Sequence, residues 1–204
     1  EPRQQPDAAA YHAPMPLTVP DAPPPSTPQA PLSATTLPPL PPRANARFML
    51  AHPAHAIALG FGSGLSPLAP GTAGTLWAWL AWLALSPWLT PAQQGGFIAA
   101  SVLVGWWACT VTARNLATDD PGAIVWDEVV AFWLVLWLVL PAGFWAQLAA
   151  FVLFRLFDAV KRGPVGWADR VFHGRGWRGG WGILFDDLVA AFCTLLVIAL
   201  WRAS

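Results

Sequence analysis

The acidic residues of this chain are few, and most lie at the ends of apolar segments. Two begin one such segment, one follows the next, and two begin the last: Asp127, Glu128, Asp158, Asp186 and Asp187. Carboxylates at the ends of membrane helices are costly, which makes them functional candidates. If these helix ends meet, the carboxylates can hold one hard cation, and their oxygens suit Mg²⁺. The alternative is that they only cap helix N-termini, where the helix dipole favours negative charge.

Basic residues accompany Asp158 along the chain. Arg155 precedes it by one helical turn, and Lys161 and Arg162 follow within the next turn. The four residues would share one face if the helix continued. Phosphoryl transfer needs cations that bind phosphate beside a metal-binding carboxylate, so Arg155 and Lys161 are predicted to bind substrate phosphate. The alternative is a basic cluster whose charged ends reach the membrane interface.

Other routes to phosphate hydrolysis lack their motifs. Cys109 and Arg114 are spaced one residue too closely for the cysteine phosphatase loop, and no DxDx[TV] sequence offers an aspartyl nucleophile. The remaining interpretation is metal-assisted attack, with water as the nucleophile. The predicted catalytic carboxylates are Asp127, Glu128, Asp158 and Asp187.

A glycine-rich segment, Gly60–Thr75, gives a separate signal. Its glycines and hydroxyl residues could present several backbone N–H groups to an anion. It matches neither GxxxxGK[ST] nor GxGxxG, so nucleotide binding is not indicated. An irregular entry into a membrane helix explains the same composition equally well.

The composition predicts a membrane protein. Of 204 residues 55% are hydrophobic and only 11% are charged, whereas soluble domains have about 25% charged residues. No Asp, Glu, Lys or Arg lies between Arg47 and Arg114, a stretch long enough for two crossings of a hydrocarbon core about 30 Å thick. The formal net charge of +0 gives no electrostatic case for nucleic acid.

The expected fold is an all-α polytopic membrane bundle over residues 43–204, preceded by a disordered Pro-rich tail over residues 1–42. The apolar runs are Leu76–Leu89, Phe97–Ala113, Val129–Leu140, Phe144–Phe154 and Leu188–Trp201. If each run is one span, every charged loop lies on the N-terminal side, which the positive-inside rule makes cytoplasmic. Many of the tryptophans lie near the ends of these runs, where indoles favour the interface.

The uncertain element of this topology is the run from Val129 to Phe154. A turn at Pro141-Ala142-Gly143 would make it a hairpin, which leaves Asp127 and Asp158 on the same membrane face. A single kinked span would instead put them on opposite faces. We expect the hairpin because Pro and Gly interrupt the run at its middle.

Several ordered motifs resemble the phosphatidylglycerophosphatase A family over roughly Ala54 to Trp201. They are GFGSGLSPLAPGTAGTLWA (Gly60–Ala78), IVWDE (Ile124–Glu128), FRxxDxxK (Phe154–Lys161), Asp169-Arg170 leading to His173-Gly174, and GIxxDDxVA (Gly182–Ala190). The resemblance implies a Mg²⁺-dependent enzyme of the bacterial inner membrane that converts phosphatidylglycerol phosphate to phosphatidylglycerol. It also implies that the acidic and basic motif positions include Asp127, Glu128, Asp158, Lys161, Asp186 and Asp187.

The chain departs from the family pattern in its loops. Lys161-Arg162-Gly163-Pro164 stands where members usually have Lys-Pro-x-Pro, and Arg175-Gly176-Trp177-Arg178 looks like an insertion. These departures leave the acidic set intact and bear on loop geometry. The alternatives are a phosphatase of another lipid phosphate and a non-catalytic transporter or scaffold. A transporter should place ionisable residues in mid-span, whereas here they lie at span ends.

Overall fold

The elements that bring the acidic residues together are all helices. The computed structural model describes residues 43–117, 122–160 and 177–204, and in these residues there is no β-strand. Several sequence predictions fall outside them: the Pro-rich tail over residues 1–42, the phosphate-binding role of Lys161, the position of Arg162, and the loop around His173.

Seven α-helices follow one another along the described chain. They are α1 (Ala46–Leu50), α2 (Pro53–Ala58), α3 (Pro70–Leu85), α4 (Pro91–Leu116), α5 (Trp126–Val139), α6 (Phe144–Val160) and α7 (Trp177–Ala203). Short 3₁₀ turns occupy Gly60–Leu65 and Ser86–Trp88. Proline stands in the first turn of α3 and α4, where its missing N–H costs nothing. Thr90 and Gln93 add a capping box to α4, which fixes where that helix begins.

Helices α3 to α7 alternate in direction. The Trp133 indole of α5 donates to Ala78 O of α3 at 2.8 Å, and Trp77 lies beside Trp126, so α3 and α5 run parallel. Close contacts of Gly95 with Trp137 and of Gly105 with Trp126 show that α4 runs antiparallel to α5.

Helix α5 is the centre of the bundle. It packs against α3, α4, α6 and α7, and Val129, Phe132 and Leu136 are completely buried. Because neighbours surround it, α5 is apolar on all sides, as expected of an enclosed helix. Its only polar part is the first turn, which carries Asp127 and Glu128.

The run from Val129 to Phe154 is a helical hairpin. Helix α5 ends at Val139 and α6 begins at Phe144, with Pro141 between them. Glu128 at the start of α5 lies 3.7 Å from Arg155 near the end of α6. The single-span alternative is therefore wrong, because it would separate these two residues by the length of the span.

Several tryptophans that the sequence places near the interface belong to the core instead. Trp79, Trp82 and Trp133 are at most 7% exposed. The Trp79 indole donates to Gln147 Oε1 at 2.7 Å and the Trp133 indole to a backbone carbonyl. Buried indoles usually find such acceptors, but the indole nitrogen of Trp82 has none among the described residues. Trp88, Trp145 and Trp201 remain strongly exposed.

Within residues 43–117, 122–160 and 177–204, two helical segments are long and apolar enough to cross a membrane: Pro91–Leu116, with a mean hydropathy of 1.6, and Leu184–Ala203, with 2.0. Helices α3, α5 and α6 are shorter, at 16, 14 and 17 residues, whereas a spanning helix usually needs about 20. The structure thus gives an antiparallel helical bundle with two candidate spans.

Candidate active site

Three carboxylates meet at the end of the bundle where α5 begins. One oxygen each of Asp127, Glu128 and Asp187 lies within 4.8 Å of the others. Asp127 and Glu128 come from the first turn of α5, and Asp187 comes from α7. The two helices pack along much of their length, which brings distant parts of the sequence together. We call this group the carboxylate cluster.

Each member of the carboxylate cluster has a buried oxygen without a hydrogen-bond partner in the described structure: Asp127 Oδ1, Glu128 Oε2 and Asp187 Oδ2. Asp187 as a whole is only 3% exposed. Buried carboxylates that lack partners are strongly unfavourable, and three together also repel one another. A divalent cation bound among them would satisfy all three oxygens, and a set made only of oxygen ligands suits Mg²⁺.

Arg155 of α6 borders the carboxylate cluster. Its Nη1 forms ion pairs with Asp158 and, at 3.7 Å, with Glu128 Oε1. These contacts place a guanidinium beside the carboxylates, at a position where it can bind a phosphate whose other oxygens face the cation. Neither Asp127 nor Asp187 pairs with Arg155, so Arg155 leaves part of the cluster's charge unbalanced.

The structure brings together three of the five predicted cation ligands. Asp158 is not one of these three residues, but its side chain lies beside Asp187 and pairs with Arg155. Asp186 is also outside the carboxylate cluster, and its Oδ1 accepts from the backbone N–H of Asp187 at 3.1 Å. Consecutive helical residues point about 100° apart, which is why Asp186 and Asp187 do not share one ligand position. Both outer residues are buried.

The glycine-rich segment also reaches the site. Gly71, in the first turn of α3, lies so near Glu128 and Arg155 that a Cβ at this position would clash with Glu128 Oε1. Thr75, one turn later, is completely buried, and its hydroxyl lies 3.5 Å from Arg155 Nη1. The sequence suggests only that this segment could itself bind an anion through its backbone, and it does not single out Gly71 or Thr75.

Helices α4, α5 and α7 are in close contact next to the carboxylate cluster. Trp126, immediately before the two acidic residues, lies against Gly105 of α4 and donates from its indole to Ser101 O at 3.1 Å. Leu184 of α7 approaches the same glycine. Because glycine has no side chain, three helices can meet here, and the first turn of α5 is held in place beside Asp187.

Comparisons with known proteins agree with this geometry. The family model described as phosphatidylglycerophosphatase A matches residues 56–202, which include the carboxylate cluster, Arg155 and Gly71. Phosphatidylglycerophosphatase A of Escherichia coli (strain K12) is 39% identical over 150 residues, which cover 72% of this chain and 82% of that protein. The protein of the same name from Haemophilus influenzae is 37% identical over 153 residues, covering 74% and 90%.

A third relative carries a different name. A putative phosphatidylinositol-3-phosphatase of Bacteroides thetaiotaomicron is 38% identical over 154 residues, covering 72% of this chain and 91% of that protein. No solved structure matches. With a family model that spans most of the chain, and with relatives above one third identity over most of their own lengths, this chain belongs to the phosphatidylglycerophosphatase A family.

Proposed function

We propose that this protein is a Mg²⁺-dependent phosphatidylglycerophosphatase that hydrolyses the terminal phosphate monoester of phosphatidylglycerol phosphate in phospholipid biosynthesis. The names of the E. coli and H. influenzae relatives support the substrate. The observation that carries the chemistry is the carboxylate cluster with its three unpartnered buried oxygens.

Each residue of the site has a distinct part in this proposal. Asp127, Glu128 and Asp187 would hold the cation, and Arg155 would bind the phosphate beside them. Asp158 keeps the guanidinium of Arg155 in position through its ion pair. We retain Asp158 and Asp186 as further candidate cation ligands. We also retain Lys161, which lies outside the described residues, as a second phosphate-binding residue.

The reaction requires a nucleophile, charge neutralisation and a fixed substrate. A bound Mg²⁺ supplies charge neutralisation at the phosphoryl oxygens and lowers the pKa of water. A carboxylate oxygen of the cluster accepts a proton from the attacking water, and Arg155 holds the phosphate so that water can approach opposite the leaving lipid oxygen. The oxygen of the attacking water adds to phosphorus as the phosphorus–oxygen bond to the lipid breaks. The departing lipid oxygen takes up the proton that the carboxylate accepted, and the products are phosphatidylglycerol and inorganic phosphate.

The membrane setting is part of the proposal. We place the protein in the bacterial inner membrane as a multi-pass bundle, with α3 to α7 as the spans and the carboxylate cluster facing the cytoplasm. The two long apolar helices support the membrane location. The short helices fit if the bilayer thins locally around them. The Pro-rich tail over residues 1–42 is proposed to be a disordered extension without catalytic residues.

The test is phosphate release by purified protein from a panel of lipid phosphates, with Mg²⁺ and with a chelator. The panel contains phosphatidylglycerol phosphate, phosphatidic acid and phosphatidylinositol 3-phosphate. We expect the first to be hydrolysed fastest and the chelator to stop the reaction. Preference for phosphatidylinositol 3-phosphate, which the Bacteroides relative's name raises as the second candidate, would contradict the substrate assignment. Full activity without divalent cations would contradict the proposed dependence on Mg²⁺.

A further inference from the structure

The first turn of α3 lies so close to Arg155 that only glycine fits at position 71. A Cβ added to Gly71 would lie 2.9 Å from Arg155 Nη2 and 3.1 Å from Nη1. Real Cβ atoms essentially never come within 3.0 Å of another residue's heavy atoms, so a larger residue would push α3 or the guanidinium away. Gly71 therefore sets the distance of α3 from both Glu128 and Arg155.

Thr75 lies one turn further along the same face of α3. Its hydroxyl donates to the carbonyl of Gly71 at 2.8 Å, so the hydrogen is occupied and the oxygen lone pairs remain to accept. Arg155 Nη1 lies 3.5 Å from this oxygen. A buried threonine hydroxyl that bonds back to its own helix often has no further role, whereas this one faces a cation.

These contacts surround one nitrogen of Arg155. Nη1 is close to Thr75 on α3, Glu128 on α5 and Asp158 on α6. In the described structure Nη2 has no hydrogen-bond partner, and the side chain keeps 19% of its surface exposed. Three helices thus hold Nη1, while Nη2 lies beside Gly71 and Nε is buried without a hydrogen-bond partner among the described residues.

We propose that Gly71 and Thr75 are positioning residues that hold the guanidinium of Arg155 in place to bind the phosphate of the substrate. Arginine side chains carry considerable rotamer entropy, and an anchored guanidinium loses less of it on binding. The inference rests on the proposed function for the nature of the ligand. It adds residues of the glycine-rich segment to the phosphate subsite, where they act through Arg155.

The test compares Thr75→Val, which removes the hydroxyl and keeps the shape, with Thr75→Ser, which keeps the hydroxyl. The control is Thr194→Val on α7, because Thr194 is equally buried and its hydroxyl also bonds back one turn, to Ala190 O at 2.8 Å. We expect Thr75→Val to raise KM for the lipid phosphate about 10-fold with a smaller change in kcat, the loss of one hydrogen bond to a charged group. Thr75→Ser and Thr194→Val should stay near wild type.

Binding of inorganic phosphate, measured by titration calorimetry, gives a readout that does not depend on turnover. Thr75→Val should weaken it by a similar factor. If wild-type protein binds phosphate and this loss appears, but no lipid phosphate is hydrolysed, the proposed function fails and the positioning role stands. If the lipid is hydrolysed and Thr75→Val leaves both KM and phosphate binding unchanged, the positioning role fails alone. Equal impairment of Thr75→Ser would also overturn it.

A double-mutant cycle covers the case in which Thr75→Val folds poorly. Lysine in Arg155→Lys lacks the planar group that Thr75 contacts, so adding Thr75→Val to it should raise KM little further. Gly71→Ala is not used in this cycle, because its Cβ would also clash with Glu128 Oε1 whatever residue stands at position 155. Additive effects of the substitutions on KM would show that α3 does not act through Arg155.

Discussion

Glu128 and Arg155 lie 3.7 Å apart, although one is in the first turn of α5 and the other is near the end of α6. This ion pair closes the hairpin at its charged end and places a guanidinium beside two carboxylates, those of Glu128 and Asp158. It also connects the fold to the chemistry, because the helix reversal at Pro141 is what allows the pair to form.

The carboxylate cluster predicts which acidic residues matter most. Asp127→Asn and Asp187→Asn should each reduce turnover about 100-fold or more while the protein stays folded, because the amide keeps the shape and removes a charged ligand. Phosphate release at saturating Mg²⁺ measures the effect, and gel filtration in detergent reports folding. Asp186→Asn should cause a smaller loss, since Asp186 lies outside the cluster. Wild-type activity in both cluster variants would contradict the cation site.

The meeting point of three helices at Gly105 predicts a stability effect. A Cβ in Gly105→Ala would lie 2.7 Å from the Trp126 indole nitrogen, and overpacking of this kind costs about 1–3 kcal/mol. Gly96→Ala on the same helix is the control, because nothing lies within 4 Å of its added Cβ. It should be neutral or stabilise by about 0.5–1 kcal/mol. Thermal unfolding in detergent should separate the two, and an unchanged midpoint for Gly105→Ala would refute the close packing.

The sidedness of the site can be tested at two glycines in opposite loops. Gly122 precedes α5 and Gly143 precedes α6, and an added Cβ meets nothing within 4 Å at either position. In a background of Cys109→Ala and Cys193→Ala, Gly122→Cys should react with a water-soluble thiol reagent only from the cytoplasm. Gly143→Cys should react only from outside. Reaction of both from the same side would contradict the proposed spans.

His55 predicts a dependence of stability on pH. It is 2% exposed, and Nε2 lies 3.0 Å from Asn115 Nδ2. Burial, and then the nearby His52, lower the pKa of His55 below its ordinary value of 6.5. Protonation therefore disfavours the folded state, so stability is complete above about pH 6.5 and falls as the pH drops below it. Thermal midpoints between pH 8 and 5.5 should show this decrease, and His55→Gln should flatten it. If the thermal midpoint of His55→Gln falls with pH as that of the wild type does, the pH dependence does not come from His55.

Removal of residues 1–42 should leave membrane insertion and phosphate release unchanged, because a Pro-rich segment with few large apolar residues contributes little burial. Activity per folded molecule, compared between full-length and shortened protein, measures this. Lower specific activity at equal membrane levels would assign the tail a direct role.

The acidic half of the site could be predicted from the sequence because charges are rare in this chain, and each carboxylate stands out at the end of an apolar run. The sequence alone could not predict which of these residues contact one another. Asp186 and Asp187 are neighbours in sequence, and only the rotation of α7 decides which one meets Asp127. Thr75 resembles any other helical threonine until α6 packs beside it. The buried Trp79 was missed because its acceptor, Gln147, comes from a distant helix.

The distribution of the carboxylate cluster along the chain also matters during synthesis. Asp127 and Glu128 are on α5, whereas Asp187 is on α7, which leaves the ribosome later than α5 and α6. A nascent chain that lacks α7 has only part of the cluster and none of the burial that α7 provides around it. The complete carboxylate cluster therefore forms only after α7 has docked against α5. Unfinished or truncated chains are expected to be inert toward lipid, so the appearance of activity would report that assembly of the bundle is complete.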